Sequence, residues 1–169
     1  EALYVTLEAK GFLKKEITDT LGKFGSILSG HPTIEVPGIE VNTGALGHGL
    51  PIGVGMALAA KMDKKSYKTF VMMGDGEQGE GSIYEAAMAG HQYKLDNLVA
   101  IIDRNHLQIS GNTEDVMAIE DISARWTAFG WDVKVMNGDD MEDIVKTIDC
   151  IDYTNGKPHL IVSNTTKGK

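Results

Sequence analysis

Apolar positions recur along this chain first with a helical period and then as short unbroken runs. Residues 1–10 carry Leu3, Leu7 and neighbouring Val5 in a helix-like pattern. Residues 19–30 read as turns with a short helix. Residues 31–38 read as an extended loop, because Pro32 and Pro37 each push the preceding residue out of the helical region. A glycine-rich turn over 42–51 leads into a predicted helix at 52–62, where Gly53, Gly55, Ala57, Ala59 and Ala60 would let another element approach closely. Residues 67–73 read as a buried strand and 98–103 as another, with nearly continuous apolar runs that suit strands covered on both faces. Helices are predicted at 80–94, near 119–129 and at 141–148, and strands at 131–136 and 159–164. This alternation predicts an α/β fold, a doubly wound, mostly parallel sheet flanked by helices with right-handed crossovers. No repeat, linker or low-complexity segment interrupts it, so residues 1–169 are expected to form a single domain.

The first helix lacks an N-cap signal and an initiator Met, and the chain stops where a loop begins, so truncation at both ends is expected. With 24 acidic and 16 basic side chains the net charge is -8, and no Lys/Arg cluster stands out. Nucleic acid and anionic membrane are therefore disfavoured as partners. The single Cys150 cannot form an intrachain disulfide, and no signal peptide or apolar run of membrane-spanning length is visible, so a cytoplasmic location is expected. The 20 glycines are the anomaly: about 12% of the chain against the usual ~7%, concentrated between Gly44 and Gly90. Such bunching marks backbone that turns tightly or approaches a ligand.

In open parallel sheets ligands bind beyond the carboxyl ends of the strands. Two such ends carry polar ligands here: Gly74-Asp75-Gly76, and Asp103-Arg104-Asn105. The first turn is expected to expose the Asp75 carboxylate and neighbouring N–H groups. Asp75 and Asn105 lie 105 − 75 = 30 positions apart, the length of one helical crossover, so adjacent strands could present both side-chain oxygens to one point. A hard cation such as Mg2+ takes oxygen ligands of this kind and shares them with a phosphate, which the turn and a helix N-terminus can receive.

Taken together, the pattern of strand, Gly-Asp-Gly, acidic helix start, second strand and Asn resembles the thiamine diphosphate signature of transketolase, specifically its diphosphate-binding (PP) domain. The matching stretches are His31-Pro, Pro37-Gly-Ile-Glu-Val-Asn-Thr-Gly-Ala-Leu-Gly-His-Gly49, Gly74-Asp-Gly-Glu-Gln-Gly-Glu-Gly81, Glu85-Ala-Ala-Met-Ala-Gly90 and Asp103-Arg-Asn-His-Leu-Gln-Ile-Ser-Gly111. They cover most of the first two thirds of the chain. The resemblance implies that Asp75, the Asn105 side chain and the Leu107 carbonyl bind Mg2+, or Ca2+ or Mn2+ in its place. It implies that Gly76 donates its N–H to the diphosphate, with Gly74 and Glu77 in the same cofactor-binding set. Ile109 would pack near the thiazolium, and Gly44 and Leu46 would line the cofactor cleft. His31 would hydrogen-bond a sugar hydroxyl, while Glu80 and Glu85 would join a proton-relay network at a subunit interface. The small residues Gly81, Ala86, Ala87, Ala89 and Gly90 would let a second helix approach there.

The implied activity is transfer of a two-carbon ketol unit from a ketose phosphate to an aldose phosphate, as in the pentose phosphate pathway, with thiamine diphosphate supplying most of the chemistry. Transketolases also need a pyrimidine-binding domain, and carry histidines beyond both ends of the matched stretch. None of these is in this sequence, and Arg104 stands where many thiamine enzymes have Asn or Asp. A split enzyme or a fragment is therefore expected, inactive without a pyrimidine-domain partner and forming a dimer or an α2β2 assembly. Alternatives are the PP module of a 2-oxo acid dehydrogenase E1 component or of a deoxyxylulose phosphate synthase, or a non-catalytic Mg2+/phosphate-binding module. The segment 38–49 favours transketolase over the other two enzymes.

Other features read as structural. His48, His91 and His106 lack mutual metal-ligand spacing. Gly47-x-Gly49-x-x-x-Gly53 has one residue too many for a dinucleotide fingerprint. Cys150 reads as a core thiol, Met72, Met73, Met88 and Met117 as core filler, Glu114-Asp115 as solvated surface and Glu120-Asp121 as a helix start.

Overall fold

The structure is a computed structural model that describes all 169 residues. In chain order its elements are α1 (Ala2–Ala9), α2 (Lys15–Thr18), α3 (Gly49–Met62), β1 (Thr69–Gly74), a 3-10 turn (Gly76–Gly79), α4 (Gly81–Gln92), β2 (Leu98–Arg104), β3 (Leu107–Gln108), β4 (Gly111–Asn112), α5 (Thr113–Val116), α6 (Ile122–Ala128), β5 (Asp132–Asn137), α7 (Met141–Asp149) and β6 (His159–Asn164). The chain divides into two compact units, residues 1–45 and 46–169.

In the larger unit β1, β2, β6 and β5 form one parallel sheet in that spatial order, and β3 pairs with β4 in a short antiparallel hairpin. The two central strands, β2 and β6, are the most continuously buried, as their apolar runs require. One face of the sheet carries the main core, in which Leu50 and Ala57 of α3, Ile83 and Ala87 of α4 and Trp126 of α6 pack with Met73, Ile102 and Leu160. The other face is covered by α7, whose Ile144 and Ile148 pack with Val99, Met136 and Ile161. Helices on both faces of a parallel sheet make this the α/β arrangement predicted above.

The helix predicted at 52–62 starts three residues earlier, and Gly53 is where it meets the sheet: a Cβ there would lie 2.4 Å from Val71 Cγ2. Gly55 and Ala59 of the same helix face solvent instead. Asp121 and Asp140 cap α6 and α7 by accepting the N–H groups of Ala124 and Glu142.

Other expectations of burial fail as well. The segment read as a strand buried on both faces, β1, is an edge strand with one covered face, leaving Phe70 50% and Met72 70% exposed. Of the four methionines assigned to the core only Met73 is buried; Met72, Met88 and Met117 are exposed. Cys150 is exposed at the end of α7 and is not a core thiol. Ala86, Ala87 and Gly90 do not form an outward surface for a second chain's helix. They are buried in this chain's own core, where Trp131 Nε1 donates to the Ala87 carbonyl (2.9 Å) and a Cβ on Gly90 would lie 3.0 Å from the Trp131 ring.

In the smaller unit, Tyr4 and Leu7 of α1 pack with Leu13, Leu28 and Val36, while Leu3 and Val5 are exposed. Tyr4 also donates its hydroxyl to the Ser29 carbonyl at 2.6 Å. Thr43 donates N–H and hydroxyl to the Pro32 carbonyl, each at 3.0 Å, and Asn42 Oδ1 accepts the Ile34 N–H, so the 32–43 loop closes on itself.

Candidate functional site

The parallel register places Gly74 beside Asp103, so β1 and β2 end at the same level and the turn after each strand meets the other. At this junction lies Asp75. Its Oδ1 accepts the Gly76 N–H at 2.8 Å; its Oδ2 accepts the His106 N–H at 2.7 Å and Arg104 Nη1 at 3.1 Å. The expectation of an exposed Asp75 carboxylate is wrong: the residue is only 1% exposed, because these donors close over it. The strand-end pairing itself is present, and Asp75 touches the backbone immediately after Asn105.

Asn105 is half-buried. Its Oδ1 accepts the Leu107 N–H (3.0 Å) and its amide group donates to Asp103 Oδ2 (3.1 Å). His106 between them has φ +64°, the left-handed turn that brings the chain into the hairpin. Asp103 is in turn held by the Thr165 hydroxyl beyond β6. Gly76 sits against Gln108, where a Cβ would come within 2.9 Å of the Gln108 side chain, so the Gly-Asp-Gly turn and the hairpin lie in direct contact.

Glu77 turns back over the same region. Its Oε1 accepts the Gly47 N–H at 2.7 Å and its Oε2 the Gly74 N–H at 3.1 Å. Ser82, which no sequence pattern singles out, donates to the Gly47 carbonyl at 2.8 Å. Gly47 has φ +77°, and a Cβ would lie 2.5 Å from Ser82 Oγ, so this position needs glycine. Leu46 is thereby held beside the 74–82 segment with its side chain 54% exposed. Exposed Leu107 and Ile109 stand on the hairpin, and exposed Met117 reaches the 3-10 turn, where a Cβ on Gly79 would lie 3.9 Å from Met117 Cγ. The polar junction around Asp75 thus has an apolar border.

Glu80 and Glu85 are exposed, at the start and on the outer face of α4. His31 and Gly44 belong to the 1–45 unit, where His31 is exposed and a Cβ on Gly44 (φ +121°) would meet its ring at 3.2 Å.

Two further side chains complete the junction. Arg104 is buried and donates from Nη1 to Thr113 Oγ1 as well as to Asp75, and from Nη2 to Glu114 Oε1; the bonds to Thr113 and Glu114 are both 2.7 Å. Glu114, read as solvated surface, is tied into this network. Desolvation alone would raise its carboxyl, but hydrogen bonding with Glu120 and Arg104, together with the Arg104 charge, holds it below the ordinary value of 4.5. The signal in the sequence was a lone Arg ending an apolar strand run, followed within ten residues by a Thr-Glu pair.

A carboxylate and an amide oxygen, as on Asp75 and Asn105, are hard oxygen donors suited to a divalent cation that shares its coordination with phosphate. No group of three or more His, Cys, Asp or Glu side chains able to hold a metal occurs anywhere in the chain. No helix is long and apolar enough to cross a membrane.

Comparison with known proteins gives this geometry a family. Residues 2–169 match the transketolase, thiamine diphosphate binding domain. Over 169 residues the chain is 80% identical to an apulose-4-phosphate transketolase subunit of Phocaeicola vulgatus, covering 100% of this chain and 60% of that protein. It is 40% identical to the 6-deoxy-6-sulfo-D-fructose transketolase subunit SqwG of a Clostridium species, covering 99% of this chain and 62% of that one. The crystal structure of transketolase from Campylobacter jejuni superposes with a TM-score of 0.82 at 34% identity, over 89% of this chain and 24% of that chain. The chain therefore spans about three fifths of the length of these two relatives. By this match over nearly its whole length, the chain belongs to the transketolase thiamine diphosphate binding domain family.

Proposed function

We propose that this chain is the diphosphate- and cation-binding part of a transketolase that moves a two-carbon ketol unit from a ketose phosphate to an aldose phosphate. The observation that carries the reading is the junction of the two strand ends, where the turn after β1 and the segment after β2 meet at the Asp75 carboxylate. There Asp75, the Asn105 amide oxygen and the Leu107 carbonyl would hold Mg2+. The Gly76 N–H, which here donates to Asp75 Oδ1, would turn to donate to the diphosphate when it binds, with Gly74 beside it. Exposed Leu46 and Ile109 would offer the apolar contact that a thiazolium ring needs. Glu77 contributes by shaping the Gly47 turn with both of its oxygens. When bound, thiamine diphosphate supplies the carbon nucleophile and electron sink for the transfer. The protein groups bind, orient and hold charge around it.

The names of the relatives support a choice of substrate. The protein at 80% identity is named for apulose 4-phosphate and the one at 40% for 6-deoxy-6-sulfo-D-fructose, so apulose 4-phosphate is the first donor to assay. Both are named as subunits, which supports a second chain that brings the pyrimidine-binding domain, in a dimer or α2β2 assembly. His31 would contact the sugar, and Glu80 and Glu85, exposed on α4, would lie toward the partner. The test is a ketol-transfer assay on the full-length protein with and without the pyrimidine-domain subunit. Turnover should appear only with both subunits, thiamine diphosphate and Mg2+ present. Robust turnover by this chain alone contradicts the split-enzyme reading.

A further inference from the structure

A buried guanidinium beside a carboxylate meant for a cation looks unfavourable, since the two positive charges compete for the same anion. The hydrogen bonds of Arg104 resolve this. Of its three contacts the two at 2.7 Å go to Thr113 and Glu114, and the longest, 3.1 Å, to Asp75. The Glu114 carboxylate offsets the guanidinium charge, so the Asp75, Arg104 and Glu114 trio keeps one net negative charge. A carboxylate offers roughly four acceptor positions, two on each oxygen. Here Oδ2 receives two donors, Arg104 and the His106 N–H, while Oδ1 receives only the Gly76 N–H. The remaining acceptor position is on Oδ1, beside the glycine N–H assigned to the diphosphate.

We propose that Arg104 is a positioning residue: it saturates Oδ2 of Asp75 and so leaves Oδ1 as the oxygen that takes the divalent cation. This inference rests on the cation site proposed above. Arg104 also holds the segment that follows the hairpin. Thr113 and Glu114, its stronger partners, open α5 immediately after the hairpin that carries Leu107 and Ile109, and the Thr113 N–H is donated to the His106 carbonyl at 3.0 Å. One side chain therefore ties the Asp75 turn to the start of α5, which in turn bonds back to His106. Glu114 keeps the tie from costing Asp75 its charge.

The test is Mg2+ titration of thiamine diphosphate binding, followed by calorimetry in the full-length protein assembled with its partner subunit. Thermal unfolding without cation is recorded in parallel. Arg104→Met removes a positive charge, which by itself favours the cation, so the expected rise of about tenfold in the Mg2+ concentration at half-saturation reads the lost positioning of Oδ1. Arg104→Lys, which keeps the charge and one donor, should recover part of that shift. Glu114→Gln should raise the Mg2+ requirement too, because the guanidinium charge is no longer offset, and it supplies the answer if Arg104→Met does not fold. A purely structural Arg104 would lower the unfolding temperature without changing the Mg2+ requirement. Folded variants with wild-type half-saturation overturn the proposal, and if Asp75→Ala still abolishes binding the cation site itself stands. Wild-type binding by Asp75→Ala overturns both.

Discussion

Glu77 and Gly47, thirty residues apart, are joined by a 2.7 Å hydrogen bond from the Gly47 N–H to Glu77 Oε1, while the second Glu77 oxygen accepts the Gly74 N–H. The carboxylate thus shapes two glycine-containing turns at once. Glu77→Ala leaves both donors without their partner and should destabilise the fold by about 1–3 kcal/mol, read by denaturant unfolding. It should also weaken thiamine diphosphate binding, because Leu46 is no longer held beside the 74–82 segment. Unchanged stability would show that water replaces the carboxylate without loss.

Gly53 packs α3 directly onto β1. A Cβ would come within 2.4 Å of Val71 Cγ2, so Gly53→Ala should cost about 1–3 kcal/mol through forced separation of helix and sheet. Gly55→Ala, on the solvent side of the same helix and with nothing within 4 Å, serves as the control and should be neutral or slightly stabilising. Equal unfolding midpoints for the two variants would remove the close-packing account.

Much of this fold is legible in the sequence because β2 and β6 are apolar runs that only two covered faces can satisfy, and because helices alternate with them. The pairing of the Asp75 and Asn105 turns is legible for the same reason, since one crossover separates them. What is not legible is which apolar residues a sheet edge leaves uncovered: Met72 and Met73 are neighbours of the same type, and only the second points into the core. Arg104 is legible as a departure from the family pattern, but its role is not legible until its partners are known. Asp75, Thr113 and Glu114 come together only in three dimensions. Small residues on α4 read as a docking stripe when their neighbour is in fact Trp131, 44 residues beyond Ala87.

The Glu114 carboxyl lies below its ordinary value of 4.5 in the folded protein. Its contribution to stability is therefore fully present above that value and lost as the pH falls through the lower folded value. Wild-type thermal stability should drop more steeply on acidification below pH 4.5 than that of Glu114→Gln. Parallel pH profiles for the two would contradict the assignment.

His31 is exposed beside Gly44 in the 1–45 unit, and the proposed function places the sugar against it. His31→Ala should raise the KM for the ketose donor while leaving thiamine diphosphate affinity nearly intact, measured by steady-state kinetics and calorimetry on the assembled enzyme. Equal loss of both would place the histidine in the fold or at the cofactor.

The central claim is that Asp75 holds the cation that carries the diphosphate, and calorimetric titration of thiamine diphosphate in the presence of Mg2+ tests it most directly. In the full-length protein assembled with its partner, the wild type should bind and Asp75→Ala should lose Mg2+-dependent binding, because the cation is left without its anionic protein ligand next to a diphosphate. Unchanged affinity in a folded Asp75→Ala variant would contradict the account.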